Sequence, residues 1–103
     1  MSICRLYELP NLGDSRGSLV SVDLLTGLPF EIRRVYYIFG TKPEVSRGFH
    51  THKTLHQVAV RLSGSCMMVL DNGENREDVL MGSPFRVVDL PPMLWHEMYD
   101  FSP

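Results

Sequence analysis

The chain has 103 residues, of which 44% are hydrophobic and 21% charged, with a formal net charge of −2 at pH 7 and a pI of about 6.0. This length supports one modest core, so we predict a single domain over residues 1–103. The charge pattern shows no clustered basic face, which argues against a nucleic-acid partner. No apolar run approaches 18 residues, which argues against a membrane span.

The cysteine content and the first residues indicate a reducing compartment. Cys4 and Cys66 are the only cysteines, and the opening "MSICRLYELP" has an early acidic residue and no long apolar run. It does not have the features of a signal peptide. Two cysteines in such a chain are more typical of reduced thiols than of a disulfide framework. We therefore predict a cytoplasmic protein.

Short runs of β-branched, aromatic and aliphatic residues, separated by turn residues, recur along the chain, whereas helix-type spacing is weak. In chain order they are "RGSLVSVDLL" (16–25), "RRVYYIFG" (33–40), "CMMVLDNGE" (66–74), "FRVVDLPP" (85–92) and "LWHEMYDF" (94–101). "DNG" at 71–73 is a strong turn signal, and "TKPEVS" (41–46) is typical of a loop. The pattern predicts an all-β sandwich or barrel.

The stretch "RGFHTHKTLHQ" (47–57) contains three of the four histidines. Alternate side chains of an extended strand share a face. If the strand is unbroken, the histidines share a face with the apolar residues that follow at the same parity, whereas the opposite parity is mostly polar. This interpretation places an imidazole cluster at the polar end of the barrel interior, where a ligand site is reasonable. The inward-facing parity consists of His50, His52, Thr54, His56, Val58, Val60 and Leu62.

Several motifs in order resemble one family. "DSRGSLV", "PFEIRRVYYIFGTK", "RGFHTHK" followed by Gln57, "GSC…VLDNG" and "PPMLWHEMYDFS" are similar to motifs of the cupin-fold sugar-nucleotide 3,4-ketoisomerases, which act on dTDP-4-keto-6-deoxyglucose. The resemblance implies a small cupin (jelly-roll) β-barrel that works without a metal or other cofactor. It also implies a homodimer with strands exchanged between subunits, and a role in deoxysugar and polysaccharide biosynthesis.

The chain departs from this family in two respects. The family commonly has Glu where this chain has His56. Family members also typically continue beyond "DFS" through another strand and a helical tail. The resemblance therefore predicts the fold more firmly than the activity.

The reaction implied by the resemblance moves a carbonyl from C4 to C3 of the sugar. A base must remove the C3 proton, an enediolate must carry the charge, and C4 must receive a proton. Histidine suits the proton transfers because its unperturbed pKa is about 6.5, and a placed acid or base contributes roughly 10²- to 10⁴-fold in rate. Arginine and tyrosine suit an oxygen that gains charge.

The resemblance assigns roles to particular residues. His50 is the expected base, and His52 returns the proton at C4 or orients the sugar. Arg47 contacts the oxyanion or a substrate hydroxyl. Tyr37, predicted to alternate inward with Val35 and Phe39, lies near the sugar. Two further residues are expected to bind substrate: Arg16 at the nucleotide diphosphate, where its fork of donors fits phosphate, and His96 at the pocket wall.

Three alternatives remain open on the sequence. In a metal-dependent cupin, the ligands would be His50, His52, His56 and His96, because imidazole suits Zn, Cu, Fe and Ni. A non-catalytic nucleotide-sugar binding module is a second alternative. A 3,5-epimerase shares the barrel and a histidine base, but has less motif support here.

Overall fold

The computed structural model describes residues 3–22, 28–51 and 53–103. These residues form seven strands and no helix. The strands make two antiparallel sheets, one of three strands in the order β1–β6–β3 and one of four in the order β2–β7–β4–β5. The all-β prediction is confirmed. The strands are β1 (Leu6–Glu8), β2 (Arg47–His50), β3 (Gln57–Val60), β4 (Cys66–Asp71), β5 (Arg76–Met81), β6 (Arg86–Leu90) and β7 (Trp95–Tyr99).

The predicted turn at 71–73 is confirmed as the link between β4 and β5. These strands pair from Cys66 opposite Met81 to Asp71 opposite Arg76. In the turn, Asp71 Oδ1 accepts a hydrogen bond of 2.7 Å from the backbone N–H of Gly73. Gly73 has a φ of 94°, which explains why glycine occupies this position.

The core lies between the two sheets. Alternate residues of β4 face it, as the period of two in a strand requires, and residues of β6 face it from the other sheet. Each such fully buried side chain contributes roughly 1.5–3 kcal/mol relative to exposure. The buried members of this cluster are Cys66, Met68, Leu70, Met81, Val88, Leu90, Leu94 and Phe101.

Two predicted strands are wrong. Residues 17–22 carry only an isolated bridge, between Asp14 and Gly17, and the prediction for 23–25 lies outside the described residues. Residues 33–40 form no strand, and Val35, Tyr37 and Phe39 are 81%, 77% and 83% exposed. A strand needs a neighbour for its backbone hydrogen bonds, and 33–40 pairs with none of the described strands. Local β-propensity is therefore not sufficient to make residues 33–40 a strand.

The predicted inward parity of the histidine stretch is wrong for Val60 and Leu62. The chain leaves the four-stranded sheet after β2, bends at Lys53–Thr54 and enters the three-stranded sheet as β3. Ala59 lies opposite Val88 and packs against the core. Val60 and Leu62, predicted inward, are 36% and 72% exposed. The premise of one unbroken strand fails, so the parity of β2 does not continue into β3.

Candidate active site

The pairing of β2 with β7 brings two predicted site residues to adjacent positions. The Cα of His50 lies opposite that of His96, and Arg47 lies opposite Met98. Directly opposed Cα atoms in such a pair are about 4.5–5.5 Å apart. The His96 side chain is buried, and its strand position also faces Leu70 of β4. His52 and the side chain of His50 lie outside the described part of the molecule.

His56 is placed in a different environment from the one predicted. Its Nε2 atom lies 2.6 Å from Oδ1 of Asp89, and Asp89 is only 4% exposed. The His56 ring also packs against Phe30, with a centroid distance of 4.7 Å. Asp89 belongs to β6, so His56 is tied to the three-stranded sheet, whereas His50 and His96 belong to the four-stranded one.

Of the four ligands in the metal alternative, the structure describes the side chains of His56 and His96. Among the described side chains, which exclude those of His50 and His52, no group of three His, Cys, Asp or Glu residues is arranged to hold a metal ion. The Nε2 atom of His56 is already engaged by a carboxylate.

Arg47 and Tyr37 lie in exposed parts of the chain. Arg47 is exposed and borders a shallow depression lined also by Phe39, Gly40, Thr41, Lys42 and Val45. Tyr37 is 77% exposed, and its ring centroid is 6.0 Å from that of Phe39. The prediction that Tyr37 points inward is therefore wrong for the single chain, because the segment that carries it packs into neither sheet.

Arg16 lies in the turn from Asp14 to Gly17. Its Nη2 is 2.6 Å from Asp14 Oδ2, and its side chain is 89% exposed. The side-chain and backbone hydrogen bonds from Arg16 hold the pKa of the Asp14 carboxyl below its ordinary value. Arg16 is thus accessible to an anion in solution, but it contacts Asp14 rather than another predicted site residue.

Two carboxylates near the core were missed by sequence reasoning. Glu77 lies opposite Leu70 and so shares a cross-strand row with His96. It accepts a 2.9 Å hydrogen bond from the backbone N–H of Cys4. Burial, followed by the charges of Glu77 and Asp89, raises the pKa of the Cys4 thiol. In the sequence, the only sign of a carboxylate in the core was Asp89, a single acidic residue inside the apolar run of β6.

The fold is that of the sugar-nucleotide 3,4-ketoisomerases, and comparison with known proteins gives the family. The family model "FdtA: WxcM-like, C-terminal" matches residues 2–103. A TDP-4-oxo-6-deoxy-alpha-D-glucose-3,4-oxoisomerase of Aneurinibacillus thermoaerophilus is 52% identical over 98 residues, which are 95% of this chain and 70% of that protein. The chain belongs to the FdtA/WxcM-like family, which confirms the resemblance drawn from the motifs.

Solved structures agree with this assignment. QdtA, a 3,4-ketoisomerase of Thermoanaerobacterium thermosaccharolyticum, has been solved as a histidine-to-asparagine variant with TDP-4-keto-6-deoxyglucose. That structure matches with a TM-score of 0.92 and 31% identity, covering 99% of this chain and 75% of the other. A double variant of QdtA, in which a tyrosine becomes arginine and an arginine becomes histidine, was solved with TDP. It gives a TM-score of 0.92 and 34% identity over the same shares of the two chains.

Proposed function

We propose that this protein moves the keto group from C4 to C3 of a TDP-4-keto-6-deoxy sugar. The observation that carries the proposal is 52% identity over 95% of the chain to an enzyme named for this reaction. The placement of His50 opposite the buried His96 on paired strands agrees with it, since histidine is the side chain most often used for general acid–base catalysis.

The proposed mechanism is a proton transfer through an enediolate. His50 removes the proton from C3, and the electron pair moves toward the C4 carbonyl, whose oxygen becomes negatively charged. Arg47 stabilises this oxygen with its guanidinium donors. A proton is then delivered to C4, with His52 as the proposed donor. The proton of the C3 hydroxyl passes to the C4 oxygen, so that C3 becomes the new carbonyl and C4 the new alcohol, while His50 releases its proton to solvent and His52 regains one. The atoms balance without an oxidant or reductant.

The substitutions made in QdtA are consistent with the choice of substrate-contacting residues. The histidine replaced in the first QdtA variant has a number one higher than His50. The two positions replaced in the double variant have numbers one higher than Arg16 and His96, and this chain naturally has the arginine and the histidine that the variant introduces. We assign Arg16 to the diphosphate and His96 to the wall of the sugar site.

We also propose that the working form is a homodimer, and that Tyr37 joins a site only there. Five consecutive apolar or aromatic residues, at 35–39, are between 40% and 83% exposed in the single chain. Such a strip is unusual for a protein that works as a monomer and is typical of an interface. A strand exchanged with a second copy would supply the backbone partner that the segment otherwise lacks.

Proton NMR in D₂O tests the proposed reaction. EDTA-treated, metal-analysed protein is mixed with TDP-4-keto-6-deoxyglucose. Deuterium at C4 of a new 3-keto product supports the proposal. Activity that returns only after a transition metal is added would contradict the metal-free mechanism. Deuterium exchange at C3 and C5 would indicate an epimerase, and tight TDP binding without exchange would indicate a binding module.

A further inference from the structure

The strand β2 contains one residue more than its partner over the same length. Arg47 lies opposite Met98 and Gly48 opposite Glu97, but the next pair is His50 with His96, so Phe49 has no opposite residue. Gly48 has a φ of 96° and Phe49 a φ of 61°. Two residues on one strand opposite one residue on its partner define a β-bulge.

The bulge changes which residues of β2 share a face. Arg47 and His50 are three positions apart, and a regular strand would put them on opposite faces. Their partners Met98 and His96 are two positions apart and lie on the same side of β7, opposite the buried Met68 and Leu70. With the bulge, positions 47 and 50 both align with this inner row. If β2 kept all its residues and paired with β7 without a bulge, position 49 would oppose His96 and position 50 would move to the outer row.

The local sequence explains how the bulge forms. A Cβ at Gly48 would lie 3.0 Å from both the Cα of Glu97 and the carbonyl oxygen of His96, so the close approach of β7 requires glycine. Phe49 is less expected, because a bulky residue at positive φ is an outlier. Its side chain is 51% exposed, so packing does not account for it. Backbone strain of this kind concentrates at functional sites.

We infer that the Gly48–Phe49 bulge is the positioning element that brings residues 47 and 50 to one face of β2. This inference rests on the proposed function, in which His50 is the base and Arg47 stabilises the oxyanion. The positive-φ backbone of Phe49, and not its aromatic ring, sets the register of His50 against His96. Gly48 acts by allowing the close approach of β7.

Substitutions at Phe49 separate the role of the backbone from that of the ring. Valine disfavours positive φ strongly, whereas glycine adopts it readily. We expect Phe49→Val to lower kcat by about 10²-fold through misplacement of His50, with affinity for TDP unchanged. Phe49→Gly, although it removes the whole ring, should retain the turnover of the wild-type protein. If Phe49→Gly loses as much activity as Phe49→Val, the ring is the acting part and the inference is wrong.

A structural measurement keeps this test independent of the proposed reaction. NMR should show a cross-strand NOE between residues 50 and 96 in the wild-type protein and in Phe49→Gly, and between residues 49 and 96 in Phe49→Val. Retention of the 50–96 NOE with full activity in Phe49→Val would overturn the inference. If the wild-type protein turns over no keto sugar, the proposed function fails, while these NOEs still decide the geometry.

Deletion of Phe49 decides the question if Phe49→Val does not fold. The deletion leaves an unbulged strand in which residues 47, 48 and 50 can meet residues 98, 97 and 96. We expect the 50–96 NOE to persist in this variant. A folded deletion variant without that NOE would overturn the inference.

Discussion

The Nε2 atom of His56 lies 2.6 Å from Oδ1 of Asp89, which fixes the segment between β2 and β3 to the C-terminal part of β6. Asp89 is almost completely buried, and a buried carboxylate is costly without a hydrogen-bond donor. Phe30 packs on the same imidazole ring. Through His56, the side chains of Asp89 and Phe30 are joined. They connect β6, the loop after the proposed catalytic histidines and the segment before the exposed strip at 35–39.

Removal of the His56 donor should destabilise the fold. We expect His56→Ala to lower the free energy of unfolding by about 1–3 kcal/mol, because the buried Asp89 carboxylate loses a charged-group hydrogen bond. Urea denaturation followed by circular dichroism measures this. His56→Gln, which retains an N–H donor, is the matched control and should lose less. Unchanged stability in His56→Ala would show that the Asp89 carboxylate is satisfied in another way.

The proposed base is tested by His50→Asn. Asparagine keeps polar contacts but cannot accept the C3 proton, so kcat should fall by at least about 10²-fold. Binding of TDP, measured by calorimetry, should be retained because Arg16 is unaltered. Turnover close to that of the wild-type protein would rule out His50 as the base.

The exposed strip at 35–39 predicts a specific loss of association. Replacement of Val35 and Phe39 by Glu puts charge at two strongly exposed positions, where the folding of one chain is little affected. Light scattering should show a dimer for the wild-type protein and a monomer for the variant, and the variant should lose ketoisomerase activity. Glu at the exposed Leu62 is the control. A wild-type protein that is monomeric at all concentrations would contradict the dimer proposal.

The raised pKa of Cys4 predicts slow alkylation and alkaline destabilisation. Burial, then the charges of Glu77 and Asp89, disfavour the thiolate in the folded chain. Between pH 9.0, the ordinary pKa of the thiol, and its higher pKa in the folded chain, the native thiol stays protonated whereas the unfolded thiol is ionised. The free energy of unfolding therefore falls as the pH rises through that window. Iodoacetamide labelling at pH 9, mapped by mass spectrometry, should be slower for native Cys4 than for the urea-unfolded chain. Equal rates would contradict the shift.

The elements that sequence reasoning predicted correctly are those whose signal is local. β4, β6 and β7 are short apolar runs with turn residues at their ends, and the Asp71–Gly73 turn has its own chemistry. The segment 33–40 has a β-propensity like that of β4, β6 and β7, but no partner strand in the described chain. The local sequence does not show whether a segment will find a partner strand. The relation between Arg47 and His50 could not be predicted either, because one extra residue at Phe49 changes the parity between them.

The arrangement of the candidate site residues could not be predicted from the sequence. His50 and His96 are 46 positions apart, and only the pairing of β2 with β7 makes them neighbours. His56 was weighed as a metal ligand from its spacing, whereas its position in the other sheet gives it Asp89 as a partner. A single acid within an apolar strand does not reveal which residue it will contact.

The order of strand pairing has a consequence for how the chain acquires its structure. Among the pairings of described strands, only β4 with β5 joins elements adjacent in sequence. β1 can pair only after β6 has been synthesised, and β2 only after β7. Closing such long loops is entropically costly and makes folding slow, typically milliseconds to seconds for β-rich domains. During synthesis, the histidine-bearing strand β2 leaves the ribosome well before Trp95–Tyr99, so the geometry of the proposed site is among the last features to form.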